Sequence, residues 1–200
     1  MSEVKLKTFE NIPINRREAF RYMRAENPDE TLKALFESCE KESEKLLSYK
    51  VCFCEFPLSK NGEELDLGFA KTKSKNLSVN LNGCESIILF AATVGHGIDR
   101  LIKKAEILSP AKAVCFQALG SERVESLCDA FNGELKKEYG EKGFFLKPRF
   151  SPGYGDLSLE LQKDIIAVLD CKKNLGISLS ENLMMSPSKS VTAIIGVYKK

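Results

Sequence analysis

The sequence predicts an α+β fold in which a mainly antiparallel, twisted sheet is flanked by helices. Three observations lead there. The uninterrupted apolar run Ile87-Ile88-Leu89-Phe90 is short enough for a strand buried on both faces. The stretch at 190–198 alternates apolar and polar residues with the period of a strand, whereas 29–47 repeats its apolar residues every three or four positions, as a helix does. Strands and helices then follow one another without a regular βαβ rhythm, which argues against a doubly wound parallel sheet.

Taken in order, Asn15 precedes Arg16, Arg17 and Glu18, the arrangement of a capping box, so a first helix starts there and ends before Pro28. A second helix at 29–47 carries Leu32, Leu35, Phe36, Cys39 and Leu46 on one face. Between 49 and 69 the texture becomes strand-like, with Lys60-Asn61-Gly62 as a hairpin turn. After a buried strand at 86–92, Thr93-Val94-Gly95-His96-Gly97 leads into a helix through 104. Ser109 as cap and Pro110 in the first turn open a long helix towards 137, in which Gly120 and Gly133 are weak points and a break near Gly120 is in keeping. A strand at 144–150 ends in Ser151-Pro152-Gly153-Tyr154-Gly155-Asp156, too rich in turn formers to be anything but loop. Ser158 caps a helix with the stripe Leu161, Ile165, Val168 and Leu169, stopped by Gly176. The terminal strand at 190–198 places Val191, Ala193, Ile195 and Val197 on one face. These elements make a single domain over 1–200 with a helical N-terminal part at about 1–48.

Composition narrows the function. Thirty basic residues against 28 acidic ones leave a net charge of +2, which gives no field to draw in nucleic acid or an anionic membrane. Lysine clusters at Lys71, Lys73 and Lys75, at Lys136 and Lys137, and at Lys172 and Lys173 lack the interleaved aromatic platforms of single-strand readers. No apolar run approaches the ~20 residues of a spanning helix, and Met1 to Lys7 has no signal-peptide core, so the expected location is the cytoplasm. Seven cysteines scattered through apolar segments suit reduced structural thiols, and none completes a metal site. His96, the one histidine, sits between two glycines, and the sequence nominates no partner to orient it as a base. No catalytic residue is therefore assigned.

The most informative stretch runs from Arg149 to Asp156. An arginine at a strand end followed by a Pro-Gly turn presents a rigid guanidinium fork beside exposed backbone groups, which suits a carboxylate or phosphate; an ordinary surface turn is the alternative.

The run R-F-S-P-G-Y at 149–154 resembles the R-x-x-P-G-Y signature of the activation domain of cobalamin-dependent methionine synthase. Other segments follow in the same order: Arg21-Tyr22, Ala92-Thr93-Val94-Gly95, the stretch from Glu122 to Asp129, and M-M-S-P-S-K-S-V-T-A-I-I-G at 184–196. The resemblance covers roughly 10–197 and is greatest to the family's short free-standing members. It implies a bound S-adenosylmethionine. Arg149 would hold the ligand's carboxylate, the backbone of Ser151, Gly153 and Tyr154 would read adenine and ribose, and Glu125 would face the ammonium and sulfonium, where an anion is favourable. Two features depart from the family. Gly155-Asp156-Leu157-Ser158 replaces the P-A-C-P that follows P-G-Y in the fused enzyme, and a further ligand tyrosine that the classical domain supplies after its last strand has no counterpart before Lys200.

No D-x-H-x-x-G cobalamin-ligating motif or zinc-thiolate site for homocysteine is present, so the resemblance implies action in trans. The cobalamin would be carried by a methionine synthase or another corrinoid protein, with a flavodoxin- or ferredoxin-type electron donor. The competing readings are a ligand-free binding module for a corrinoid protein of another methyltransferase system, and an independent methyltransferase, against which stands the lack of a glycine-rich loop after a first strand.

Overall fold

The computed structural model describes residues 3–199. Its elements are β1 (Lys5–Phe9), α1 (Arg16–Tyr22), α2 (Glu30–Ser43) with a 3-10 turn at Glu44–Leu46, β2 (Tyr49–Pro57), β3 (Ser59–Asn61), β4 (Glu64–Asp66), β5 (Lys71–Lys73) and α3 (Lys75–Asn80). There follow β6 (Ser86–Thr93), α4 (Gly97–Leu108), α5 (Pro110–Glu141), β7 (Phe144–Leu146), α6 (Leu161–Val168), α7 (Cys171–Leu175), β8 (Ser178–Leu179), β9 (Met185–Ser186) and β10 (Ser190–Lys199). The main sheet has the order β1-β2-β6-β10-β7 and every pairing in it is antiparallel, so the fold is α+β. No helix of the described residues is long and apolar enough to cross a membrane.

Strand side chains alternate between faces, and here both faces are covered. Val51, Ile88, Phe90, Ala92, Ala193, Ile195 and Val197 enter one core with α1, α2, α4 and α5. Cys52, Cys54, Ile87, Leu89, Ala91 and Ile194 enter a second core with α3, α6, α7 and the small β3-β4-β5 sheet. Six of the seven cysteines are buried and all seven are free thiols, with Cys52 and Cys171 meeting sulfur to sulfur at 3.9 Å across the second core.

Several local expectations hold and several change. Asn15 caps α1 by accepting from the Glu18 amide. Glu18 does not return the bond, because the Asn15 amide already donates to Glu122 Oε1 at 2.9 Å and Glu18 pairs with Arg21. Glu122 and its neighbour Arg123 are almost wholly buried; Arg123 donates to the Ile12 and Pro13 carbonyls at 2.8 and 2.9 Å, tying the N-terminal segment across α5. Leu46, expected on the buried stripe of α2, is 41% exposed, since the chain tightens into the 3-10 turn before reaching it. The turn at Asn61-Gly62 does form a hairpin, but between β3 and β4, while β2 pairs with β1 and β6. Beyond Leu161 the expected single helix is two, divided at Asp170 with φ 44°, and Gly176 ends the second in a left-handed cap.

The largest correction concerns α5, which runs unbroken through Gly120 and starts without a side-chain bond from Ser109. A Cβ at Gly120 would stand 2.9 Å from Lys189 Cγ and 3.0 Å from Ile98 Cγ1. The glycine therefore lets the segment before β10 and helix α4 approach α5 closely, and the packing they provide offsets the poor helix propensity of glycine.

Candidate functional site

The site is assembled where α5 passes the exit of β7. Leu146 faces Val197 across the β7–β10 pair, yet Phe150 faces Ile194, so four steps along one strand match three along its partner. This extra residue is a bulge, the device by which sheets re-aim a side chain. Pro148 lies within it and has no N–H to pair; Phe150 then restores the ladder, donating to and accepting from Ile194 at 2.9 Å. Held on both sides, Arg149 turns towards α5. Its Nη2 donates to Asp129 Oδ1 at 2.9 Å and to Glu125 Oε2 at 3.2 Å. The acids are four residues apart, one turn on the same helix face.

Cys128 lies behind this cluster, and burial pushes its thiol up to about 12, with the Arg149 charge pulling the other way. Tyr22, at the end of α1, stands close enough that, after burial, the Glu125 carboxylate is the next cause raising its phenol.

The bend after Arg149 is fixed by its ends. Pro152 and Leu157 are buried, the Tyr154 amide donates to the Ser151 carbonyl at 3.2 Å, and the Gly153 amide donates to the Leu157 carbonyl at 2.9 Å. Between them Tyr154 is 70% exposed. Gly153 and Gly155 take φ +86° and +57°, a left-handed region that side chains rarely adopt, and a Cβ at Gly155 would stand 2.2 Å from Asn76 Nδ2. The bend thus rests directly on α3. Asp156 locks it there, accepting from the Ser74 hydroxyl at 2.5 Å and from the Lys75 and Asn76 amides at 2.8 and 3.1 Å. The Ser74 hydroxyl is the main cause holding the Asp156 carboxyl below its usual range, with those amides adding to it.

Of the five residues singled out from the sequence, Arg149 and Glu125 are in contact, and Ser151, Gly153 and Tyr154 form the adjoining bend. Asp129, Tyr22 and Asp156 were not singled out. Asp129 was within reach of simple spacing, being four residues after Glu125; Asp156 bonds to residues some 80 positions away and carries no such signal. His96 is exposed at the start of α4 beside a different cavity, with Asp99 and Arg100.

A half-buried guanidinium, two carboxylates one helical turn apart and a rigid bend with an exposed tyrosine can receive a ligand that carries both signs of charge. No family model matches the chain, and no curated protein matches it in sequence. Among solved structures, the crystal structure of the MetH reactivation domain bound to AdoHcy is similar, with a TM-score of 0.73 at 15% identity over 98% of this chain and 78% of that one. At that identity the likeness establishes the fold.

Proposed function

We propose that the protein binds S-adenosylmethionine at the Arg149 bend and acts in trans on a corrinoid-carrying methyltransferase, chiefly methionine synthase, to return an oxidised cobalamin to its methylated form. The observation that carries this is the contact of Arg149 with Glu125 and Asp129 at the lip of an exposed, preformed turn. The fold's likeness to a reactivation domain that holds AdoHcy supports it.

In this reading the ligand's carboxylate takes donors of Arg149, while Glu125 and Asp129 face its ammonium and sulfonium. Side-chain exposures of 42% and 73% at the two acids make their pairs with Arg149 worth about 1 kcal/mol or less each. A zwitterion can therefore replace those pairs with equivalent ones at little net loss. Ser151 and Gly153 offer backbone, and the Tyr154 ring is free to cover an adenine face. The residues bind and orient, and none is called on to move a proton, in keeping with a role of positioning. A cobalamin carried by the partner would supply the methyl acceptor, with a flavodoxin- or ferredoxin-type protein as the source of the one electron needed to reduce it.

Calorimetry with S-adenosylmethionine tests the ligand site. Heat of binding is expected for the wild type and not for Arg149→Ala; equal heats for both, or none for either, would remove it. A second reading, a ligand-free module that docks on a corrinoid protein of another methyltransferase system, draws on the same cluster, because Glu125 and Asp129 already neutralise Arg149 without a ligand. Co-purification with a cobalamin protein, together with an unchanged melting temperature on adding S-adenosylmethionine, would favour it.

A further inference from the structure

Cys52 and Cys171 meet sulfur to sulfur at 3.9 Å inside the second core, 119 positions apart along the chain. Their supports differ in firmness. Cys52 lies within β2, opposite Leu6 of β1 on one side and Ala91 of β6 on the other, so its backbone is held by two ladders. Cys171 opens α7, a helix of five residues bracketed by the left-handed residues Asp170 (φ 44°) and Gly176 (φ 71°). Among the described residues, the thiol contact is the one hydrogen bond by which α7 reaches beyond 169–177. Asn174 bonds to the Leu169 and Asp170 carbonyls, and the Gly176 and Ile177 amides return to Lys172 and Cys171. Otherwise the burial of Cys171 and Leu175 holds the helix on the sheet. A short element with a joint at each end and so few outside bonds opens locally, at less than the cost of global unfolding.

We propose that this pair is a dithiol–disulfide site, at which a peroxide joins Cys52 to Cys171 and so clamps α7 to β2 until a thiol reductant releases it. The sulfurs of a disulfide stand ~2.05 Å apart, so closure asks for roughly 2 Å of approach, which the joints at Asp170 and Gly176 let α7 supply. Local opening admits hydrogen peroxide. The Cys52 thiolate attacks one oxygen, the O–O bond breaks, hydroxide leaves and Cys52 becomes a sulfenic acid. On reclosure the Cys171 sulfur attacks Cys52, the S–S bond forms, the S–O bond breaks, and the hydroxyl departs as water with the Cys171 proton. Two thiols have then given up two electrons and two protons, and one peroxide has become two waters. The bond to Cys52, and after it burial, push the Cys171 thiol up, so Cys171 keeps the proton that the second step needs.

The first core holds another neighbouring pair, since a bond to Cys115 is the main cause raising the Cys39 thiol. Those two stand within helices of 14 and 32 residues, α2 and α5, with no joint beside either sulfur. The ability to open and close singles out Cys52 and Cys171.

Treating the purified protein with a small excess of hydrogen peroxide, then alkylating it in denaturant and digesting it without reductant for mass spectrometry, tests this. A linked Cys52–Cys171 peptide is expected as the first product, and dithiothreitol should abolish it. Because the bond closes a loop spanning 119 positions, the linked protein should melt at least about 4 °C higher. Leu175→Ala, measured where its circular dichroism matches the wild type, loosens the hold of α7 and should form the link at least about fivefold faster. Sulfinic acid on either sulfur without a link, a Cys39–Cys115 link that forms first, or a link seen only after urea has unfolded the chain would overturn the site. An unchanged melting temperature would overturn the clamp, and a rate indifferent to Leu175→Ala would overturn the opening of α7 as the route.

Discussion

Arg149 makes its contacts because a one-residue bulge turns it, and the turn it precedes holds because Asp156 fastens it to α3. That fastening depends on charge. The folded carboxyl sits below its usual range, so the unfolded chain, near 3.9, binds the proton more readily. Its contribution to stability is complete above about pH 4 and disappears as the pH falls through the lower folded value. Thermal melts from pH 6 down to 2 are expected to show a shallower acid loss for Asp156→Asn than for the wild type; parallel losses would mean that the carboxylate is not what anchors the bend. At this scale the sequence was informative where a motif or a helical spacing spoke. Arg149 and Glu125 were legible through the family resemblance; Asp129, four residues after Glu125, lay within reach of helical spacing but was not singled out. Asp156 was not legible, because a carboxylate's partners across 80 residues depend on the tertiary path and leave no local pattern.

The helix α5 shows the same limit one level up. Gly120 and Gly133 look equivalent in sequence, each a weak point in a helix. Their surroundings differ: a Cβ at Gly133 would meet nothing within 4 Å, while one at Gly120 would press on Lys189 and Ile98. Gly133→Ala is therefore expected to stabilise the protein by about 0.5–1 kcal/mol. Gly120→Ala should cost about 1–3 kcal/mol by overpacking, despite the same gain in propensity. Urea unfolding of the two variants decides, and a gain in both would show that Gly120 is not a packing residue. The hairpin misassignment has a related cause. Turn chemistry at Asn61-Gly62 fixes that a hairpin forms but not which strands continue from it into the main sheet.

For the molecule as a whole, the α+β class and the central strand β6 were readable because an unbroken apolar run has few other uses. The second layer was not. Alternation at 190–198 suggested one apolar face, yet Thr192 and Ile194 are buried too, and Ile194 enters the core with α6, α7 and the small sheet; the stripe of the helix after Ser158 was legible, but nothing local in it tells which face of the sheet it covers. Two cores divided by a sheet should respond independently. Leu127→Ala in one and Ile165→Ala in the other are each expected to cost about 2–5 kcal/mol, and the double variant their sum to within about 0.5 kcal/mol. A clear departure from additivity in denaturant titrations would mean that the sheet couples the layers. The order β1-β2-β6-β10-β7 bears on how the chain acquires its shape during synthesis. The strand nearest the C-terminus lies in the interior, between β6 and β7, so a nascent polypeptide must wait for residue 199 to clear the ribosome before the sheet can close. Stalled chains that end before Ser190 should accordingly be digested quickly by protease, and full-length released chains should resist it.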